Sequence, residues 1–121
     1  MNVSQISNAQ IEKVELTMRD HGCLTYYIDL RIGKGSFCSY GGYCIGHGYL
    51  GADHFDGMGA GLEAMMRIMD TVGVENWEEL NGKYCRVEHD GLGSTIKRIG
   101  NLLEDKWFDQ EEFFSRSKQA T

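Results

Sequence analysis

Two alternating runs around one short turn constrain this chain more than any other feature. From Ile11 onward, Val14, Leu16 and Met18 fall on one face and Lys13, Glu15, Thr17 and Arg19 on the other. That period of two is the signature of a half-buried strand. Asp20-His21-Gly22 supplies turn residues, with Gly22 free to take positive φ. A second run then places Leu24, Tyr26, Ile28, Leu30 and Ile32 inward against Thr25, Tyr27, Asp29 and Arg31. Two such runs flanking a tight turn predict an antiparallel hairpin.

The rest of the chain extends that hairpin. Residues 1–10 are polar and expected to be a loose N-terminus, with residues 11–121 forming a single domain. Gly33-Lys34-Gly35-Ser36 turns the chain into a third strand, Phe37 to Ile45. Its paired Gly41-Gly42 marks a bulge or a close approach by backbone or ligand. Residues 46–57 form the longest irregular stretch, and loops of that length are more often functional than short ones. A helix is predicted from Met58 to Val72, with Leu62, Met65, Met66 and Met69 as its buried stripe and Gly73 as its C-terminal stop. Asn76, with Glu79 three residues on, has the pattern of a capping box for one turn at Trp77–Leu80. Strands are predicted over residues 83–88 and about 94–102. Asp109 and Glu112 cap a last helix whose apolar contribution is Phe113 and Phe114. The order β-β-β-α-β-β-α predicts an α+β fold, a mostly antiparallel sheet of about five strands with one main helix on one face. The chain has no proline, so slow prolyl isomerisation cannot limit its folding.

Composition narrows the function classes. The net charge of −6 argues against a nucleic-acid clamp, which would show a basic stripe. It permits docking on a basic surface by complementary potential. No run approaches the roughly 20 apolar residues of a membrane helix. The start Met-Asn-Val-Ser-Gln-Ile-Ser lacks a signal peptide's basic and apolar blocks, so a cytoplasmic protein is expected. Cys23, Cys38, Cys44 and Cys85 show no C-x-x-C spacing and read as reduced thiols in or beside strands.

A longer pattern runs through the chain. It comprises Asp20-His21-Gly22, Gly41-Gly42-Tyr43, Gly59 to Leu62, the run Val72 to Val87, Ile99-Gly100 and Asp105-Lys106-Trp107-Phe108. In order and spacing these resemble a family of small phage and prophage proteins of mostly unassigned function, over about residues 12–108. The chain departs from the family where an aliphatic-acidic pair is expected after Gly-Gly-Tyr and Cys44-Ile45-Gly46 stands instead. Any ligand-contacting acid would then have to be Asp53 or Asp56, in a loop that folds back. Through that resemblance, action on host machinery is the expectation, with CRISPR, Thoeris and CBASS defences among the targets. The resemblance therefore implies a phage accessory protein in the host cytoplasm that binds and inhibits a host defence component.

The residues leave three functional readings. The first is protein binding without enzymatic activity, through a surface expected at Tyr40, Gly41, Gly42, Tyr43, His47, Tyr49, Asp53, His54, Phe55, Asp56, Gly57 and Gly59. The second is sequestration of a nucleotide signal. Gly57-x-Gly59-x-Gly61 opens a helix whose amides would bind phosphate, while Tyr40, Tyr43, Tyr49 and Phe55 would stack a base. The third is a small metal-dependent or Cys/His hydrolase at Cys44, His47, Asp53 and His54. The wider set Cys38, Cys44, His47, Asp53, His54 and Asp56 has the donor types for zinc, but its C-x5-C-x2-H-x6-H spacing matches no standard site. On a straight strand Cys38 and Cys44 would lie roughly 20 Å apart at about 3.3 Å per residue. Core thiols and loop histidines are the better reading, so no cofactor or metal is expected. Trp77, Trp107 and Phe108 read as packing anchors, and Met58, Met65, Met66 and Met69 as core filler before an adaptable binding face. A sheet edge is expected to pair two copies into a homodimer.

Overall fold

The structure, a computed structural model, describes residues 4–91 and 93–119. Residues 1–3, 92, 120 and 121 lie outside it, and with them the first part of the stretch read as loose. The described residues form β1 (Gln5–Asp20), β2 (Cys23–Ile32), β3 (Ser36–Gly41), β4 (Gly46–His47), β5 (Asp56–Gly57), α1 (Gly59–Val72), β6 (Tyr84–His89), β7 (Arg98–Gly100), β8 (Trp107–Phe108) and α2 (Gln110–Gln119). A single 3-10 turn, Trp77–Leu80, links α1 to β6.

All strands join one antiparallel sheet in the order β5-β4-β2-β1-β6-β7-β8, with β3 also paired to β2. The α+β class and the antiparallel sheet match the sequence reading, but the strand count exceeds the expected five. β4, β5 and β8 are two residues each, too short to carry a period.

The β1–β2 hairpin closes with Asp20 paired to Cys23 and with His21 and Gly22 at φ of 51° and 78°. Positive φ at both central residues gives the twist that suits flanking strands. β1 is longer than expected. Its first residues, Gln5–Gln10, pair with β6, while Ala9–Asp20 pairs with β2. Just past the residues shared with β6, the register with β2 slips at Glu12. The Asn81-Gly82 turn answers the bulge: Gly82 N–H donates to the Ile11 carbonyl (2.7 Å), and Val14 N–H to Asn81 Oδ1 (2.9 Å). This keeps the backbone groups freed by the bulge paired.

The core lies between one face of the sheet and the two helices. Ala9, Ile11, Tyr26, Ile28, Leu30, Cys85, Val87 and Ile99 meet Ala64, Ile68, Leu80, Phe108 and Phe114. α1 ends as expected, on Gly73 in the left-handed region. Its buried face, however, is Gly61, Ala64, Ile68 and Thr71; Met65 is half-buried, and Leu62 and Met66 are exposed. The expected stripe is therefore rotated. α1 lies close enough that a Cβ on Gly61 would sit 2.3 Å from Ile45 Cβ, so the smallest residues face the sheet.

Three further expectations change. The strand expected over 94–102 is ordered as β only at Arg98–Gly100. Asn76 makes no side-chain cap to the 3-10 turn; its amide instead donates to the Glu79 carboxylate. The third strand breaks in two at Gly41, as described below. The last helix follows its signal, with Asp109 Oδ1 accepting from the Glu112 amide at 3.0 Å.

Candidate functional site

β3 and β4 run along the same side of β2 as one strand interrupted by a bulge, with β5 paired beyond β4. Between the pairs Tyr27–Gly41 and Leu24–Gly46, Thr25 and Tyr26 of β2 face four residues, Gly42 to Ile45. Gly41, at φ 116°, makes this possible, because a Cβ there would lie 2.3 Å from the Tyr26 carbonyl oxygen. The extra residues re-aim their side chains, as bulges do. Tyr43 stacks on Phe114 with ring centroids 4.5 Å apart, and Ile45 enters the core.

The bulge also brings Cys44 to His47, with Sγ 3.5 Å from Nε2; the same thiol lies 3.2 Å from the Gly46 carbonyl oxygen. Cys23, at the start of β2, pairs directly with His47 of β4, and its Sγ lies 3.9 Å from Nδ1. The donor atoms of Cys23, Cys44 and His47 all lie within 4.8 Å of one another. His47 pairs in turn with Asp56 of β5, so Cys23, His47 and Asp56 form one cross-strand row. Asp56 Oδ2 holds His54 Nε2 at 2.9 Å on the exposed side of that row.

The sequence anticipated Cys44 and His47 here, but not Cys23. Long-range pairing of β2 with β4 supplies Cys23, which no spacing within residues 38–56 signals. Cys38 belongs elsewhere. It packs against the core on β3, where burial and the Asp29 charge raise its thiol above the ordinary value. Burial pushes the Cys85 thiol up to about 12. Thiols held neutral in this way are poor nucleophiles.

The other anticipated residues do not converge. Tyr40 is buried, and its hydroxyl accepts from the Gln110 amide (2.9 Å) and donates to the Phe108 carbonyl (3.0 Å). Tyr43 faces Phe114. Tyr49 is exposed, its hydroxyl 3.4 Å from the His21 carbonyl oxygen, and Phe55 covers Gly48. Asp53 is exposed in the loop. Gly42 lies in the bulge, and Gly57 and Gly59 border open space at the start of α1. Gly61 is consumed by packing on Ile45, so the helix start and the tyrosines do not build one nucleotide cradle. Among the described residues these side chains do not assemble a catalytic triad: Asp56 holds His54, while the two nitrogens of His47 face the two sulfurs.

A different surface was missed. Met58, Leu62 and Met66 recur every fourth residue on the outer side of α1 and are 42%, 64% and 67% exposed. In the loop before α1, Tyr49, Leu50 and Phe55 are also exposed, Leu50 at 89%. The available signal was the run of small residues Gly61, Ala64 and Thr71, which marks the face of closest approach. A second groove, between α1, β8 and α2, is lined by Glu63, Arg67, Arg98, Trp107, Asp109, Glu112 and Arg116. Its charges answer one another: Arg67 pairs with Glu63, Arg116 with Glu112, and Arg98 with Glu88 while stacking on Trp107. Such a groove offers no net charge to an ionic ligand.

No helix among the described residues is long and apolar enough to cross a membrane. Compared with protein-family models, curated proteins and solved structures, the chain shows no match.

Proposed function

We propose that this chain is a non-enzymatic binding protein that docks on a partner protein through the outer face of α1 and the preceding loop. One observation carries this reading: the apolar stripe Met58, Leu62 and Met66 stands exposed on α1. Apolar side chains spaced by one helical turn fit a partner's groove or helix. Methionine adds an adaptable surface, and Tyr49, Leu50 and Phe55 provide anchors of the kind that dominate binding energy. Arg67 and Glu63 border the stripe and supply a polar rim. The resemblance to small phage proteins supports a host protein as the partner, a component of anti-phage defence, which the chain would inhibit by occupying its surface.

The test compares the natural chain with Leu62→Asp/Met66→Asp as bait in host lysate, alongside phage plating on defence-bearing cells. The natural chain is expected to retain one host component and restore plating, and the variant to do neither while staying folded. Equal capture by both proteins, or plating unchanged by either, rejects the reading. Light scattering on the same samples separates a second occupant: a dimer lost in the variant would mean that the stripe pairs two copies.

A further inference from the structure

We propose that Cys23, Cys44 and His47 form a zinc site with two sulfur ligands, one nitrogen ligand and an open fourth position. The inference does not rest on the docking reading, and its test needs no partner. The three residues come from three separate pieces of chain, the start of β2, the bulge and β4, yet their donor atoms lie within 4.8 Å of one another. A tetrahedral zinc with bonds of about 2.3 Å to sulfur and about 2.0–2.1 Å to nitrogen holds these ligands roughly 3.5 Å apart. Cys44 Sγ and His47 Nε2 stand at 3.5 Å, and Cys23 Sγ and His47 Nδ1 at 3.9 Å. The two distances go to different ring nitrogens, of which one zinc takes only one; His47 is solvent-exposed, which leaves its ring room to turn that nitrogen onto the metal.

The donor set selects the ion. Two soft sulfurs and an imidazole suit zinc, whereas magnesium and calcium prefer oxygen. Both thiols would give up their protons to solvent as they bind the ion. The bound ion would tie the bulge to β2 and β4 at the base of the loop carrying Tyr49, Leu50 and Phe55.

The experiment titrates the full-length protein, in a non-thiol reductant, with cobalt(II) as a coloured probe and then displaces it with zinc. The expected result is one cobalt per chain with thiolate-to-metal absorption, loss of that band on adding zinc, and a higher melting temperature with zinc. Cys23→Ser, Cys44→Ser and His47→Ala should each weaken uptake by at least about a hundredfold, beyond the roughly 10- to 100-fold expected from losing an outer-shell partner. Cys38→Ser, outside the cluster, should bind as the natural chain does. Circular dichroism of each variant confirms folding. The proposal is overturned if no thiolate band appears, or if the folded Cys23→Ser/Cys44→Ser variant binds metal as well as the natural chain.

Discussion

Tyr40 and Gln110 are joined across 70 residues of chain: the phenol oxygen accepts the Gln110 backbone N–H at 2.9 Å. The same hydroxyl donates to the Phe108 carbonyl, and Tyr26 donates to the Gln110 side chain at 3.0 Å. Two buried tyrosines on neighbouring strands thus hold the first turn of α2 against the sheet. Tyr40→Phe would leave a buried amide and carbonyl unpaired, and a loss of about 1–3 kcal/mol is expected. Urea denaturation measures it; an unchanged midpoint would show that the hydroxyl is dispensable.

Alkaline pH should unfold the protein early. Burial raises the phenols of Tyr26, Tyr40 and Tyr43 above their ordinary value of 10.0, and raises the Cys85 thiol from 9.0 to about 12. Above those ordinary values the unfolded chain gives up protons that the folded chain keeps. Stability from these groups is therefore complete below pH 9 and falls as pH climbs from about 9 through the folded values. Circular dichroism against pH should show this decline, and Tyr40→Phe should flatten it. A stability flat to pH 12 would contradict the burial of these groups.

Two glycines near the start of α1 should respond in opposite directions. Gly61→Ala places a Cβ 2.3 Å from Ile45 Cβ, and overpacking of this kind costs about 1–3 kcal/mol. Gly59→Ala meets nothing within 4 Å and should stabilise by about 0.4–1 kcal/mol, because alanine restricts the unfolded chain. Thermal melts of the two variants decide it. Shifts of the same sign would show that α1 does not pack on Ile45 as described.

Leu62→Asp and Met66→Asp should change stability by no more than about 0.5 kcal/mol, because both side chains are already in water. A loss of several kcal/mol in either would place that residue in a core and remove the docking stripe.

Thr25 is 1% exposed, and its hydroxyl finds no hydrogen-bond partner among the described residues. Thr25→Val keeps the shape and removes the unpaired group, so it should be neutral or stabilising by about 1 kcal/mol. Loss of stability on this change, read from the same urea titration, would reveal a partner for the hydroxyl.

The sequence by itself determined the elements with strong local signals. The alternation around His21-Gly22 specified the β1–β2 hairpin, Gly73 stopped α1, and Asp109 started α2, because each depends on residues within one turn or one strand pair. The paired Gly41-Gly42 likewise announced a bulge. Tertiary structure alone decided what those elements meet. The side of α1 that turns inward was chosen by the close approach of Gly61 to Ile45, not by where the largest apolar residues fall. Tyr40, apparently suited to a ligand, was claimed by α2. Cys23 joined Cys44 and His47 only because β2 pairs with β4, and contacts between strands distant in sequence leave no period for local reading to detect.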